Sequence, residues 1–190
     1  MTADPIPEIR TTRLLLRGWR DEDLAPFAAM NADPTIARFL SRALTRDESD
    51  AFVASIVESW ATQGFGQWAL ERLETAAFVG FTGLSAPSFE AHFTPAVEIG
   101  WRLAAEAWGH GLATEAAEAA LAFGFESVGL DEIVSFTVPE NVRSRAVMER
   151  LGMTHDPADD FDHPRFPEGH RLRRHVLYRL DREAWRSRDR

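Results

Sequence analysis

Short apolar runs alternate along this chain with longer stretches of helical spacing. Residues 13–19, RLLLRGW, are apolar and bounded by charge, which predicts a first strand. DEDLAPFAAMNADP places acidic residues ahead of apolar positions at helical spacing, so a helix begins near residue 21 with Asp21 or Asp23 as its cap. Thr45-Arg46-Asp47-Glu48 has the form of a capping box. Phe52, Ile56, Val57 and Trp60 carry that helix to about Gln63, and Gly64 and Gly66 end it. FGQWALERL and AAFVGFTGL predict two strands, SAPSFEAHFTP a loop, and AVEIGWRLA a further strand. A helix follows over 112–128, then a strand, EIVSFTV, rich in β-branched residues. Pro139-Glu140-Asn141 breaks it, and VRSRAVMERLG is a helix closed by Gly152. DPADDFDHPRFPEGH reads as a polar loop, and RRHVLYRLDREAW as a last strand reaching Trp185.

Early helices, a run of antiparallel-type strands and two late strand–helix units predict an α/β (α+β) domain built around one mixed sheet. Strand 97–103, helix 112–128 and strand 132–138 form a crossover unit, so those two strands are expected to be parallel. The 190 residues fit one domain over 1–190.

Composition narrows the chemistry. There is no cysteine, so disulfides, thiolate nucleophiles and cysteine–zinc sites are excluded. A net charge of −9 with no lysine argues against a nucleic-acid surface. No apolar run reaches the roughly 18 residues of a membrane helix, and MTADPIPEIR has no signal-peptide pattern. A cytoplasmic protein with no membrane partner is expected.

WGHGLATEAAEAALAFGFE, residues 108–126, carries the chemical signal. Gly109 and Gly111 stand between a strand and a helix. A helix N-terminus offers unpaired N–H groups and partial positive charge, and glycines let the backbone wrap an anion. A phosphate cradle accounts for both glycines; a tight turn without a ligand is the plainer alternative. A P-loop would need a lysine, and a dinucleotide fingerprint would need a third glycine where Thr114 stands.

The stretch resembles motif A of the GNAT superfamily of N-acetyltransferases, Arg/Gln-x-x-Gly-x-Gly/Ala. Gly111 and Ala113 fill its last two fixed positions, whereas Trp108 replaces the usual Arg or Gln. WGHGLATEA is similar to the RimJ/RimL-like branch, which acetylates protein N-termini and diverse small amines. RLLLRGWRDEDL, FVGFTGL, VEIGWRL and PENVRSRAVMERLGM resemble further segments of that branch in order, over residues 10–182. The resemblance implies a GNAT-like domain whose parallel central strands splay apart, with acetyl-CoA as cosubstrate. It implies that the backbone of Trp101, Arg102 and Leu103 pairs with the pantetheine arm. It also implies that the N–H groups of Gly109, His110, Gly111, Leu112, Ala113 and Thr114 hold the pyrophosphate, and that Asn141 and Ser144 meet the arm or thioester from the other side.

Acetyl transfer to an amine needs a base for the amine and a donor for the departing thiolate. Glu98 is the candidate base, on the strand where the family carries catalytic carboxylates; an ordinary strand-edge glutamate is the alternative. The family's usual tyrosine acid is replaced by Met148, and the single tyrosine is Tyr178. Ser144 is therefore the candidate donor, with a helix serine satisfied by its own backbone as the alternative. His155, His163, His170 and His175 fit no zinc template, so no metal is expected. The loop 159–170 is expected near the acceptor entrance, and Trp68 and Trp101 are candidates for the acceptor pocket or the core. The leading reading is acetyl transfer to a primary amine, a protein N-terminus or a small molecule, with a homodimer left open. A non-catalytic acyl-CoA-binding module competes with it, and a nicotinamide-dependent oxidoreductase is disfavoured by the missing glycine.

Overall fold

The computed structural model describes residues 6–188, so the first residues of the N-terminal reading lie outside them. The strands are β1 (Ile9–Arg10), β2 (Leu14–Arg17), β3 (Gln67–Arg72), β4 (Phe78–Ser85), β5 (Glu98–Leu103), β6 (Glu132–Thr137), β7 (Thr154–His155), β8 (Phe161–Asp162) and β9 (Arg174–Asp181). The helices are α1 (Asp21–Ala32), α2 (Pro34–Ala37), α3 (Arg46–Gln63), α4 (Leu112–Ala122), α5 (Val142–Arg150) and α6 (Arg182–Ser187). The sheet runs β1-β2-β3-β4-β5-β6-β9-β7, with β8 also on β9. Every pairing is antiparallel except β5 with β6. This is the mixed, mostly antiparallel sheet flanked by helices that the element order predicts.

The sheet has two differently covered faces. On one, the alanines of α4 (Ala116, Ala117, Ala120) are fully buried with Leu16, Trp68, Leu70, Ile99 and Ile133. Small side chains let that helix lie close to the strands. Gly124 continues the contact, since a Cβ there would stand 2.7 Å from Ile133 Cδ1. On the other face α1 and α3 bury Phe27, Met30 and Val53 against Phe81. A third cluster, Phe93, Val134, Phe161 and Leu177, sits over β6 and β9. Full burial of each such side chain is worth about 1.5–3 kcal/mol.

Four local expectations are corrected. The cap position of α1 is Arg20, not Asp21 or Asp23. Asp23 instead reaches back to accept the Arg20 N–H at 2.8 Å while clasping the buried Arg17 guanidinium at 2.7 and 2.8 Å. The helix over 112–128 is α-helical only to Ala122, and Phe123–Val128 are wound as a wider π-type turn. The last strand stops at Asp181, whose carboxylate accepts the Ala184 N–H at 2.7 Å and starts α6. The segment 156–170 is not wholly loop, because Phe161 and Asp162 pair with His175 and Arg174.

Candidate active site

Strands β5 and β6 pair at one register position, Glu98 with Val134, whereas β5 stays paired to β4 through Leu103. At this junction the Val134 N–H donates to the carbonyl of Val97, the residue before β5, at 2.9 Å. Just beyond, the Ser135 hydroxyl donates to the Ile99 carbonyl at 2.9 Å. From there the edge of β5 is open. Backbone groups alternate sides along a strand, so the carbonyls of Val97 and Ile99 place those of Trp101 and Leu103 on the same open edge. The Leu103 carbonyl is taken by the Trp108 indole N–H at 2.9 Å. Trp101 is left to present its N–H and carbonyl to the gap. Arg102 turns its backbone toward β4, where it is paired with Phe81.

The gap leads to the N-terminus of α4. Gly109 and Gly111 have φ of +79° and +75°, the left-handed region that glycine occupies without strain. Gly111 is the cap residue of α4 and has no side chain to satisfy the first-turn N–H groups. Behind the turn, Arg13 donates to the His110 carbonyl at 2.7 Å and pairs with Glu115 at 2.6 Å. The Thr114 hydroxyl, in the first turn, is buried and without a partner. Here a buried donor stands beside free backbone N–H groups at a positive helix end, an arrangement that suits a phosphate oxygen.

Helix α5 forms the opposite wall. Asn141 caps it, accepting the Ser144 N–H at 3.4 Å, and its amide donates to Thr137 at 3.0 Å. The guanidinium of Arg143 lies 4.6 Å from the centre of the Trp108 ring. Trp101, Leu103, Gly109, Gly111, Thr114, Asn141, Arg143 and Ser144 all line one cavity of about 1000 Å³. Glu98 and Arg102 line it too, from the face that carries α1 and α3. Burial pushes the Glu98 carboxyl up to about 8.

A family profile for the acetyltransferase (GNAT) domain matches residues 13–154. The chain belongs to the GNAT acetyltransferase family. The acetyltransferase is 31% identical over 201 residues to an FsC-acetyl coenzyme A-N(2)-transacetylase of Aspergillus fumigatus, across 97% of this chain and 80% of that one. An acetyltransferase from Agrobacterium tumefaciens superposes with a TM-score of 0.76 at 29% identity, over 92% of this chain and 94% of that one. A ribosomal-protein-S5-alanine acetyltransferase from Vibrio fischeri shares the fold, with a TM-score of 0.74 at 16% identity over 94% and 98%.

The acetyltransferase brings the candidate catalytic and cofactor-contact residues to the cavity, with one exception. His110 alone is outside the lining and contributes its carbonyl to Arg13. Leu112 and Ala113 line the cavity, and Leu112 also anchors α4 in the core. Trp68 is core: fully buried, it packs on Trp60 and Phe123 and donates to the Pro7 carbonyl at 2.7 Å. Tyr178 is buried against α5, bonded to Glu149 and stacked on His155. His163 and His175 pack with Phe136 and Phe161, and burial holds both below the ordinary histidine range, His163 at about 4. Among the described residues no group of His, Asp or Glu is arranged to hold a metal, and no helix is long and apolar enough to cross a membrane. Sequence reasoning missed Ile36, Phe39, Leu40 and Arg143 in the lining and Ser135 at the point of divergence.

Proposed function

We propose that this acetyltransferase carries an acetyl group from acetyl-CoA to a primary amine by direct attack of the amine on the thioester. The observation that carries the reading is the joining, in one cavity, of an anion-suited helix end on one face and a burial-raised carboxyl on the other. The N–H groups from Gly109 to Thr114, with the Thr114 hydroxyl, would hold the pyrophosphate. Arg143, stacked on Trp108, would supply the cation that Trp108 itself lacks. The open edge at Trp101 would pair with the pantetheine arm as an added strand. Glu98 takes the proton of the incoming amine, directly or through a water. Ser144 offers its hydroxyl to the sulfur as negative charge develops there. The nitrogen acceptor in the name of the Aspergillus fumigatus relative supports an amine over an alcohol.

Amine-dependent release of CoA tests the reading, scored against N-terminal peptides, small amines and amino acids. Its absence with every amine, in a protein that binds acetyl-CoA, would leave a non-catalytic acyl-CoA module. Two substitutions divide the α5 wall. Ser144→Ala is expected to lower kcat about 10- to 100-fold with little change in KM for acetyl-CoA, the worth of one hydrogen bond to a developing charge. Asn141→Ala should raise that KM instead, because α5 loses a cap worth about 1 kcal/mol and its first turn loosens. Steady-state kinetics in both substrates separates the two; a Ser144→Ala protein with full kcat would make proton return a matter for solvent.

A further inference from the structure

On the acceptor side the cavity floor holds two ionisable side chains, Glu98 and Arg102, that do not pair with each other. Glu98, Gly100 and Arg102 alternate along β5 and share the face that carries α1 and α3. The Glu98 carboxyl reaches over Gly100, 4.0 Å from where a Cβ would stand on that glycine. Neither Glu98 nor Arg102 has an ion-pair partner among the described residues, and burial alone perturbs each of them.

Arg102 is held firmly without being neutralised. Its guanidinium lies 5.3 Å from the Phe81 ring centre and 5.8 Å from that of Phe52. Its side-chain hydrogen bond goes to the Asn31 carbonyl oxygen at 2.7 Å. Asn31 cannot turn away, because its amide donates to the buried Ser49 at 2.8 Å. A guanidinium has five N–H donors in a planar fork, and this bond uses one. A charge taken from water without a counter-ion is costly. The rest of the fold spends elsewhere-available carboxylates on Arg17, Arg13 and Arg179. The acetyl-CoA phosphates do not answer for Arg102, since the glycine turn opens at α4, on the opposite face. Apolar Ile36, Phe39 and Leu40 line the space above.

We infer that Arg102 receives a carboxylate of the acceptor, so that the substrate is an amine that also carries a carboxylate. The amine meets Glu98 and the thioester, the carboxylate takes the free edge of the guanidinium fork, and the apolar wall covers the carbon chain between them. This inference rests on the acetyl-transfer reading above.

The test is a matched series: glycine, β-alanine, γ-aminobutyrate and δ-aminovalerate, each beside its carboxamide, together with short peptides carrying Asp or Asn at the second position. CoA release is measured for the wild type, Arg102→Met and Arg102→Lys. For at least one spacing the acid should exceed its amide in kcat/KM by about 10- to 100-fold, the worth of a charge-assisted hydrogen bond. Arg102→Met should bring that ratio near one, Arg102→Lys should keep part of it, and KM for acetyl-CoA should not move. The free-acid and peptide arms distinguish a small molecule from a chain terminus. A ratio near one at every spacing in the wild type overturns the inference, as does a preference that survives Arg102→Met. Calorimetric titration of the same pairs into the CoA-loaded protein reads the preference without turnover. An acid preference there, in a protein that releases no CoA, sinks acetyl transfer and keeps the role of Arg102; no preference there sinks that role. Should Arg102→Met fail to fold, the wild-type ratio and Arg102→Lys still decide.

Discussion

Glu98→Gln is expected to lower kcat/KM by about 10²- to 10⁴-fold, the usual worth of a positioned base. The loss should depend on pH. Burial holds the carboxyl up to about 8, so at neutral pH most of the protein carries it protonated and only the ionised fraction accepts a proton. The ratio of wild-type to variant activity should therefore climb with pH until about 8 and then level. Stability should move the other way. Above the ordinary carboxylate range an unfolded chain ionises Glu98 while the folded one resists, so this group costs stability increasingly as pH rises toward 8. Glutamine removes that cost. Thermal melts at pH 5 and pH 8.5 should show the variant gaining on the wild type at the higher pH while remaining the poorer enzyme. A ratio that does not vary with pH would move the base to water.

Gly111→Val should weaken acetyl-CoA binding by about 10²- to 10⁴-fold, equivalent to losing two charge-assisted hydrogen bonds. The fold has room for the side chain: the nearest atom to a Cβ at Gly111 is Arg13 Nη2, at 3.6 Å. The backbone does not welcome it, since φ is +75° and a β-branched residue there is strained by about 1–2 kcal/mol. The variant should melt lower yet fold, and its deficit should appear in calorimetric titration with acetyl-CoA. Unchanged affinity in the folded variant would refute a phosphate site at this turn. Gly109, with nothing within 4 Å of its own Cβ position, serves as a second test of the same turn.

Features set by neighbours in sequence were the legible ones. Thr45 and Glu48 form the reciprocal cap that their spacing announced, at 3.3 and 2.9 Å. The glycine turn and the parallel crossover could be read because strand, turn and helix follow one another directly. The opposite wall could not. Ile36, Phe39 and Leu40 look like core residues in sequence, and only the fold, which carries α2 and the residues just after it to this cavity, shows them in its wall. Asp181 was hidden because apolar alternation runs through it toward Trp185, and its capping role depends on where the chain turns. Asp23 has the same composition signal as any cap, but the buried Arg17 claims it. Trp108 departs from the motif in isolation; in space Arg143, from the far helix, lies across its ring.

The divergence of β5 from β6 also bears on how this protein avoids sticking to itself. Unpaired strand edges are templates on which other chains add and aggregate. An ordinary open sheet has two of them, at its ends. This one has a further pair inside, where β5 and β6 part after Glu98 and Val134. Those inner edges are recessed between α4 and α5, with Trp108 and Arg143 stacked at the side. A slender linear molecule can lie along them, but another protein's sheet cannot approach. A feature that would be a hazard on the rim is thereby kept safe at the centre, and the outer edges are left to β1 at one end and to β7 and β8 at the other, each of two residues and too short to template much.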